Sequence, residues 1–316
     1  MEHLIAFRMV IVISVHSTSY NTQTLSLSVW TRNLERLIKR THIVFETSEA
    51  HPNVKIVCDG KYFAFFNQAR GYISVFEFPK FSQPLFTFPA IENLRSVVLS
   101  GKQRRLFAVS KEKEIVCYRL DRGDLDYTRS IQSKQKIESI YLIKEQNTLV
   151  ANTVNEVFTI DAKNGRILTN FETHKLPVIG RSSYDVVDVL GFASKTNKII
   201  LRGIEFNENT RGQIEQEEII EICNLTNLRK DMRFTLGSDV GFSFASRRGQ
   251  EVIWSLKNGI YYLDLKSKEI TNVRVLNNNE LIVAGAVNCK METGNALKSL
   301  LIATSEYIRL VKYRIM

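Results

Sequence analysis

The sequence predicts an all-β chain made of repeated four-stranded antiparallel sheets, and three observations predict it. A short strand with alternating apolar residues recurs seven times: "LSVWT" from Leu27, "ISVFE" from Ile73, "IVCYR" from Ile115, "VFTID" from Val157, "IIEIC" from Ile219, "IYYLD" from Ile260 and "IRLVK" from Ile308. Successive anchors lie 46, 42, 42, 62, 41 and 48 residues apart, so the recurrence is nearly even. Each anchor is flanked by further period-2 strands separated by turn-rich or charged segments. A unit of about 40 to 45 residues holding four short strands is one blade of a β-propeller.

Taken in chain order, the first unit opens on "HLIAFRMVIVISVH". No Gly, Pro, Asn or Asp breaks it between Leu4 and Val15, so residues 3–16 read either as one long strand or as two. "RNLERLIKRTH" reads as the last strand of that unit, although Leu34, Leu37 and Ile38 also fall at helical spacing. In the third unit "LRSVVLS", "RLFAVS", "EIVCYRL" and "DYTRSIQ" are separated by "GKQRR", "KEKE" and "DRGDL". In the sixth, "GFSFAS", "EVIWSL", "GIYYLDL" and "ITNVRVL" are separated by "RRGQ", "KNG" and "KSKE". The single long interval is assigned to residues 203–218, "GIEFNENTRGQIEQEE", read as a polar insertion between the second and third strands of the fifth blade. The seventh unit runs "LIVAGAV", "SLLIAT", "YIRLVKYRI" and is one strand short. "HLIAFRM" is positioned to supply that strand; otherwise the sheet keeps an open edge, which a partner's strand can occupy.

On these residues the chain resembles the WD40 family of β-propellers over almost its whole length. The Trp-Asp position of that family reads Trp30-Thr31, Phe76-Glu77, Tyr118-Arg119, Ile160-Asp161, Ile222-Cys223, Leu263-Asp264 and Val311-Lys312, so its Asp is kept only at Asp161 and Asp264. The family's early Gly-His pair is missing. The expectation is one domain over residues 1–316: a seven-bladed WD40-like β-propeller with four-stranded antiparallel blades, its ring closed by the N-terminal strand or left open for a partner.

Composition sets the chemistry such a fold can present. The 316 residues carry a formal charge of +10, with 44% hydrophobic and 24% charged residues, which suits a globular core and an anionic partner. Cys58, Cys117, Cys223 and Cys289 form no paired spacing for zinc or a redox dithiol, which fits a reducing compartment. Glu2, Arg8 and the lack of a cleavage pattern argue against a signal peptide, and no run reaches the length of a membrane span. The expected location is intracellular, nuclear or cytoplasmic, with the nucleus favoured.

The resemblance implies that first-to-second and third-to-fourth strand loops share one face. Sorted that way, this face collects Lys102, Arg104, Arg105, Lys163, Arg166, Arg229, Lys230, Arg247, Arg248, Lys266 and Lys268, which we read as the anion-binding or partner-binding face. The opposite face collects Glu46, Glu49, Glu92, Glu112, Glu114, Glu138, Asp185, Asp239, Glu280 and, from the insertion, Glu205, Glu208, Glu215, Glu217 and Glu218, and reads as acidic.

Catalytic chemistry is not expected. His3, His16, His42, His51 and His174 fall at no metal-ligand spacing, and no nucleophile elbow, phosphate-cradling Gly-rich loop or reasoned carboxylate pair occurs, so no catalytic, cofactor or metal residues are assigned. The aromatics of "KYFAFFNQ" and "GYISVFEF" follow strand alternation, leaving Phe81 as the best candidate for stacking on a base. The expected function is a non-catalytic scaffold or adaptor subunit that binds other proteins, with nucleic acid reached through phosphates and no small-molecule substrate. Two alternatives stand beside it. One is a regulatory subunit of a separate catalytic chain. The other is a phosphoinositide-binding propeller, suggested by the resemblance of Arg247-Arg248-Gly249 to that family's Arg-Arg-Gly motif, although membrane association is not favoured.

Overall fold

The fold was analysed in a computed structural model. It describes residues 2–6, 9–19, 22–31, 37–46, 54–59, 62–68, 71–77, 83–88, 91–172, 182–208, 213–227, 229–238, 240–245, 249–256, 259–273, 282–289, 297–304 and 308–314. These fall into seven antiparallel sheets, six of four strands and one of three.

The first sheet holds β1 (Glu2–Ala6), β2 (Met9–Ser19), β3 (Thr22–Thr31) and β4 (Leu37–Glu46). The second holds β5 (Val54–Asp59), β6 (Tyr62–Asn67), β7 (Tyr72–Glu77) and β8 (Phe86–Phe88). The third holds β9 (Val97–Ser100), β10 (Arg105–Ser110), β11 (Glu114–Arg119) and β12 (Leu125–Ser130). The fourth holds β13 (Ser139–Ile143), β14 (Thr148–Asn152), β15 (Glu156–Asp161) and β16 (Ile167–Glu172). The fifth holds β17 (Ser182–Ala193), β18 (Lys198–Glu208), β19 (Ile214–Asn224) and β20 (Lys230–Gly237). The sixth holds β21 (Val240–Ala245), β22 (Glu251–Leu256), β23 (Gly259–Asp264) and β24 (Glu269–Val273). The last holds β25 (Ile282–Cys289), β26 (Leu297–Thr304) and β27 (Ile308–Arg314). In every sheet the strands pair in chain order.

The chain divides into two compact units, residues 1–90, 257–260 and 272–316 in one, 91–256 and 261–271 in the other. Within the first unit, the expectation for the N-terminus needs correcting. Residues 2–19 form two strands, Ala6 pairing with Met9, and β1 belongs to the first sheet through its ladder with β2. It therefore does not complete the last sheet. β1 lies beside β25 and β5, so the first strands of three sheets are neighbours. The aromatic run of β6 and β7 makes a local core: Phe63, Phe65 and Phe76 are buried, and the Phe63 and Phe76 rings stack with centroids 5.0 Å apart.

In the second unit the first strands again run side by side, β9 with β13, β13 with β17 and β17 with β21. Alternation explains why. A strand buried between two sheets is apolar on both faces, as in β14, "TLVAN", buried throughout. A strand with one wet face alternates, as in β16, whose residues are half-buried and exposed by turns. The apolar faces meet between consecutive sheets. Phe107, Ile115, Leu149, Phe158 and Ile160 fill one such layer, Val150, Val157, Phe192, Ile199 and Ile219 the next, and Ile200, Ile220, Trp254 and Leu263 a third.

The segment 203–218 is not a loop insertion as expected. Glu208 pairs with Ile214 and Gly203 with Ile219, so it extends β18 and β19 as a ladder. Its charges are cross-strand partners: Arg202 binds Glu218 at 2.6 Å and Arg233 binds Glu205 at 2.5 Å. A polar pattern on both faces resembles a loop in sequence, yet opposite charges across strands stabilise a wet ladder.

Candidate interaction face

The turns at one end of the second unit are built alike. In each of its sheets, the residue after the third strand donates its N–H to the residue closing the first-to-second turn: Leu120 to Arg104 O, Ala162 to Asn147 O, Leu225 to Asn197 O and Leu265 to Gln250 O, at 2.7 to 3.0 Å. First-to-second and third-to-fourth turns are thus tied together on one face. Neighbouring sheets are tied as well, Gln103 to Asn147 and Gln146 Nε2 to Asn197 Oδ1 at 2.9 Å.

The third-to-fourth turns share a second device. Asp161 Oδ1 accepts the N–H of Lys163 at 2.8 Å, and Asp264 Oδ1 accepts that of Lys266 at 2.7 Å. Asn224 Oδ1 does the same for Thr226 at 2.8 Å. The side chain of the residue ending the third strand therefore satisfies turn donors that would otherwise be orphaned. The closing bonds Arg119 N to Asp124 O, Asp161 N to Arg166 O and Asn224 N to Arg229 O make Asn224 the equivalent of Asp161. The sequence repeat puts Cys223 there, one residue early.

Several of these turns also have a left-handed residue. Arg104, Asn147 and Asn197 take φ 54°, 53° and 53° in the first set, and Gly123, Gly165 and Lys268 take 74°, 73° and 63° in the second. Asn and Gly adopt this conformation readily; Arg and Lys do so at a cost of about 1 kcal/mol.

The face carries cations whose partners differ. Arg105 is engaged: its guanidinium binds Asp126 at 2.6 Å and donates to the carbonyls of Ala162 and Lys163 at 2.8 and 2.9 Å. Lys230 is engaged too, 2.5 Å from Glu221, a carboxylate only 1% exposed. Arg105 thus ties its sheet to the turn of the next, while Lys230 joins two strands of one sheet. Lys102, Arg104, Lys163, Arg166, Arg229, Lys266 and Lys268 are exposed and make no ion pair among the described residues. The nearby acids are already used. Asp121 binds Arg119 at 2.8 Å, which holds its carboxyl below the usual range, and Asp231 binds Lys198 at 3.3 Å. Arg247 and Arg248 lie outside the described residues, as does Phe81. Gly249, next to them, has a packing reason of its own: a Cβ there would lie 2.4 Å from Phe192 O.

At the opposite end of the same unit, Glu92, Glu112, Glu114, Glu138 and Glu156 stand with Arg95, Lys111, Lys113, Lys134 and Lys136, and the far part of the β18–β19 ladder adds Glu205, Glu208, Glu215, Glu217 and Glu218. Several are paired: Arg95 with Glu138 at 2.5 Å, Lys111 with Glu114 at 3.6 Å, and Lys136 with Glu112.

Two cysteines of this unit are described with their surroundings. Burial pushes the Cys117 and Cys223 thiols up to about 12, and both are free of disulfides. Among the described residues no three His, Cys, Asp or Glu side chains converge as metal ligands.

Repeated four-stranded antiparallel meanders packed face to face through their first strands define the β-propeller class, and the fold is that of a divergent WD40-like propeller. The WD40 domain of Toxoplasma gondii coronin is similar in structure, with a TM-score of 0.66 over 98% of this chain and 79% of that one, at 9% sequence identity. No family model matches the sequence, and no curated protein does.

Proposed function

We propose that the chain is a non-catalytic scaffold, a seven-bladed ring formed by residues 1–316 that presents its basic face to an anionic partner within an intracellular assembly associated with nucleic acid. WD40-like propellers generally serve as protein-interaction scaffolds, which supports the broad reading. One observation carries the specific one: seven exposed cations stand on tied turns with no ion pair among the described residues, and Arg104 and Lys268 occupy left-handed positions that Asn or Gly fill elsewhere on the face. Strained backbone at an exposed charged residue points to selection for the charge rather than for stability. Uncompensated cations on one side also speed encounter with a polyanion at low salt.

The test is affinity purification of the tagged full chain from its native cells, with and without nuclease, beside a variant carrying Lys102→Glu, Arg104→Glu, Lys163→Glu and Lys266→Glu. Stoichiometric partner chains should accompany the parent chain and be lost from the variant. Recovery of the parent as a lone monomer would sink the proposal. If a catalytic chain co-purifies, the scaffold is a regulatory subunit. The lipid reading gains no support from Gly249, whose contact with the Phe192 backbone already accounts for it.

A further inference from the structure

The sheet β25-β26-β27 has three strands where the other six have four. β27 is joined to β26 from Ala303↔Ile308 to Leu297↔Arg314, and no strand among the described residues pairs with its other side. The N-terminal strand is committed elsewhere, in its ladder with β2. An unpaired edge of seven residues presents a row of backbone donors and acceptors that another polypeptide strand can satisfy in register.

The chain's own fourth strands show what such an occupant looks like. β16, "ILTNFE", and β20, "KDMRFTLG", alternate half-buried Ile167, Thr169, Phe171 and Met232, Phe234 with exposed residues that are polar apart from Leu168. Charge narrows it further. β27 reads "IRLVKYR", with Arg309, Lys312 and Arg314 in seven residues and no acid. A second copy of β27 would set the same cations from both strands into one seam, and like charges opposite one another are destabilising. A strand with acidic residues between its apolar ones meets the opposite condition. We infer that β27 receives an extended acidic segment of a partner protein, apolar at every second position, as the fourth strand of the last sheet. The inference rests on the scaffold reading above but uses a different surface.

The experiment uses the full chain and two labelled peptides of β27's length, one alternating Glu with Val and one alternating Lys with Val, followed by fluorescence anisotropy and by amide exchange in β27. The Glu peptide should bind and slow exchange in β27, and the Lys peptide should not. Arg309→Glu with Arg314→Glu should weaken Glu-peptide binding about tenfold, from two reversed cross-strand pairs. Arg309→Lys with Arg314→Lys should bind as the parent does, which separates lost charge from lost fold. The inference is overturned if neither peptide binds, if both bind alike, if every β27 amide is already slow in the peptide-free chain, or if sedimentation shows a dimer that those charge reversals alter. Loss of peptide binding in the variant with Lys102→Glu, Arg104→Glu, Lys163→Glu and Lys266→Glu would move the peptide to the basic face. That result would end the edge proposal and leave the basic-face reading standing.

Discussion

Gly165 sits directly under the ring of Tyr127: a Cβ on the glycine would lie 2.7 Å from Tyr127 Cε2, and the Tyr127 hydroxyl donates to Ala162 O at 3.1 Å in the same turn. A side chain from one sheet thereby clamps a turn of the next, and the turn can be approached so closely because it has no side chain at that point.

Gly165→Ala should destabilise the chain by about 2–3 kcal/mol, combining a left-handed backbone at φ 73° with overpacking. Denaturant unfolding measures it. Adding Tyr127→Ala should recover the overpacking part, so the two changes should be non-additive. Simple additivity would show that the ring and the turn are independent.

Lys268→Gly and Arg104→Asn should each stabilise the fold by about 0.5–1 kcal/mol, since φ 63° and 54° suit the new residues. Both should weaken association with an anionic partner. A gain in melting temperature with lost binding is the expected pair of results; unchanged binding would detach these residues from function.

Arg229 and Lys230 are neighbours in sequence with opposite roles. Lys230→Ala strips the near cation from a buried carboxylate, Glu221, leaving Arg233 3.9 Å away, and should cost about 2–3 kcal/mol. Arg229→Ala, on an exposed turn, should stay within about 0.5 kcal/mol of the parent. Comparing the two unfolding curves checks the assignment.

Cys117 and Cys223 should resist a thiol reagent at pH 8 in the native chain and react fully in denaturant. Their folded pKa values, about 12, lie above the ordinary 9.0. The thiol form is favoured by folding, so this stability is fully present below pH 9.0 and is lost as pH rises toward 12. A stability profile flat across that window would contradict the buried placement.

Most of the sheet order was legible because period-2 alternation survives burial: Val157, Thr159 and Asp161 sit where "VFTID" puts them, in β15. The N-terminal hairpin was not, because Ala6 pairs with Met9 without any of the residues that usually mark a reversal. The β18–β19 extension was hidden because Glu205 and Glu218 find arginines on other strands of the same sheet, a relation composition cannot express. The same blindness affected the basic face. Turn position identified its cations, but only strand parity decides that Lys230 turns inward to Glu221 while Arg229 stays in water.

Asp161 and Asp264 hold their turns through main-chain N–H groups, asking nothing of the side chains at 163, 166 or 266. The tips can therefore be rewritten one residue at a time, toward a different charge or a different partner, while the frame beneath keeps its shape. Specificity on this face is separable from folding, which makes it the natural place to graft a new binding preference.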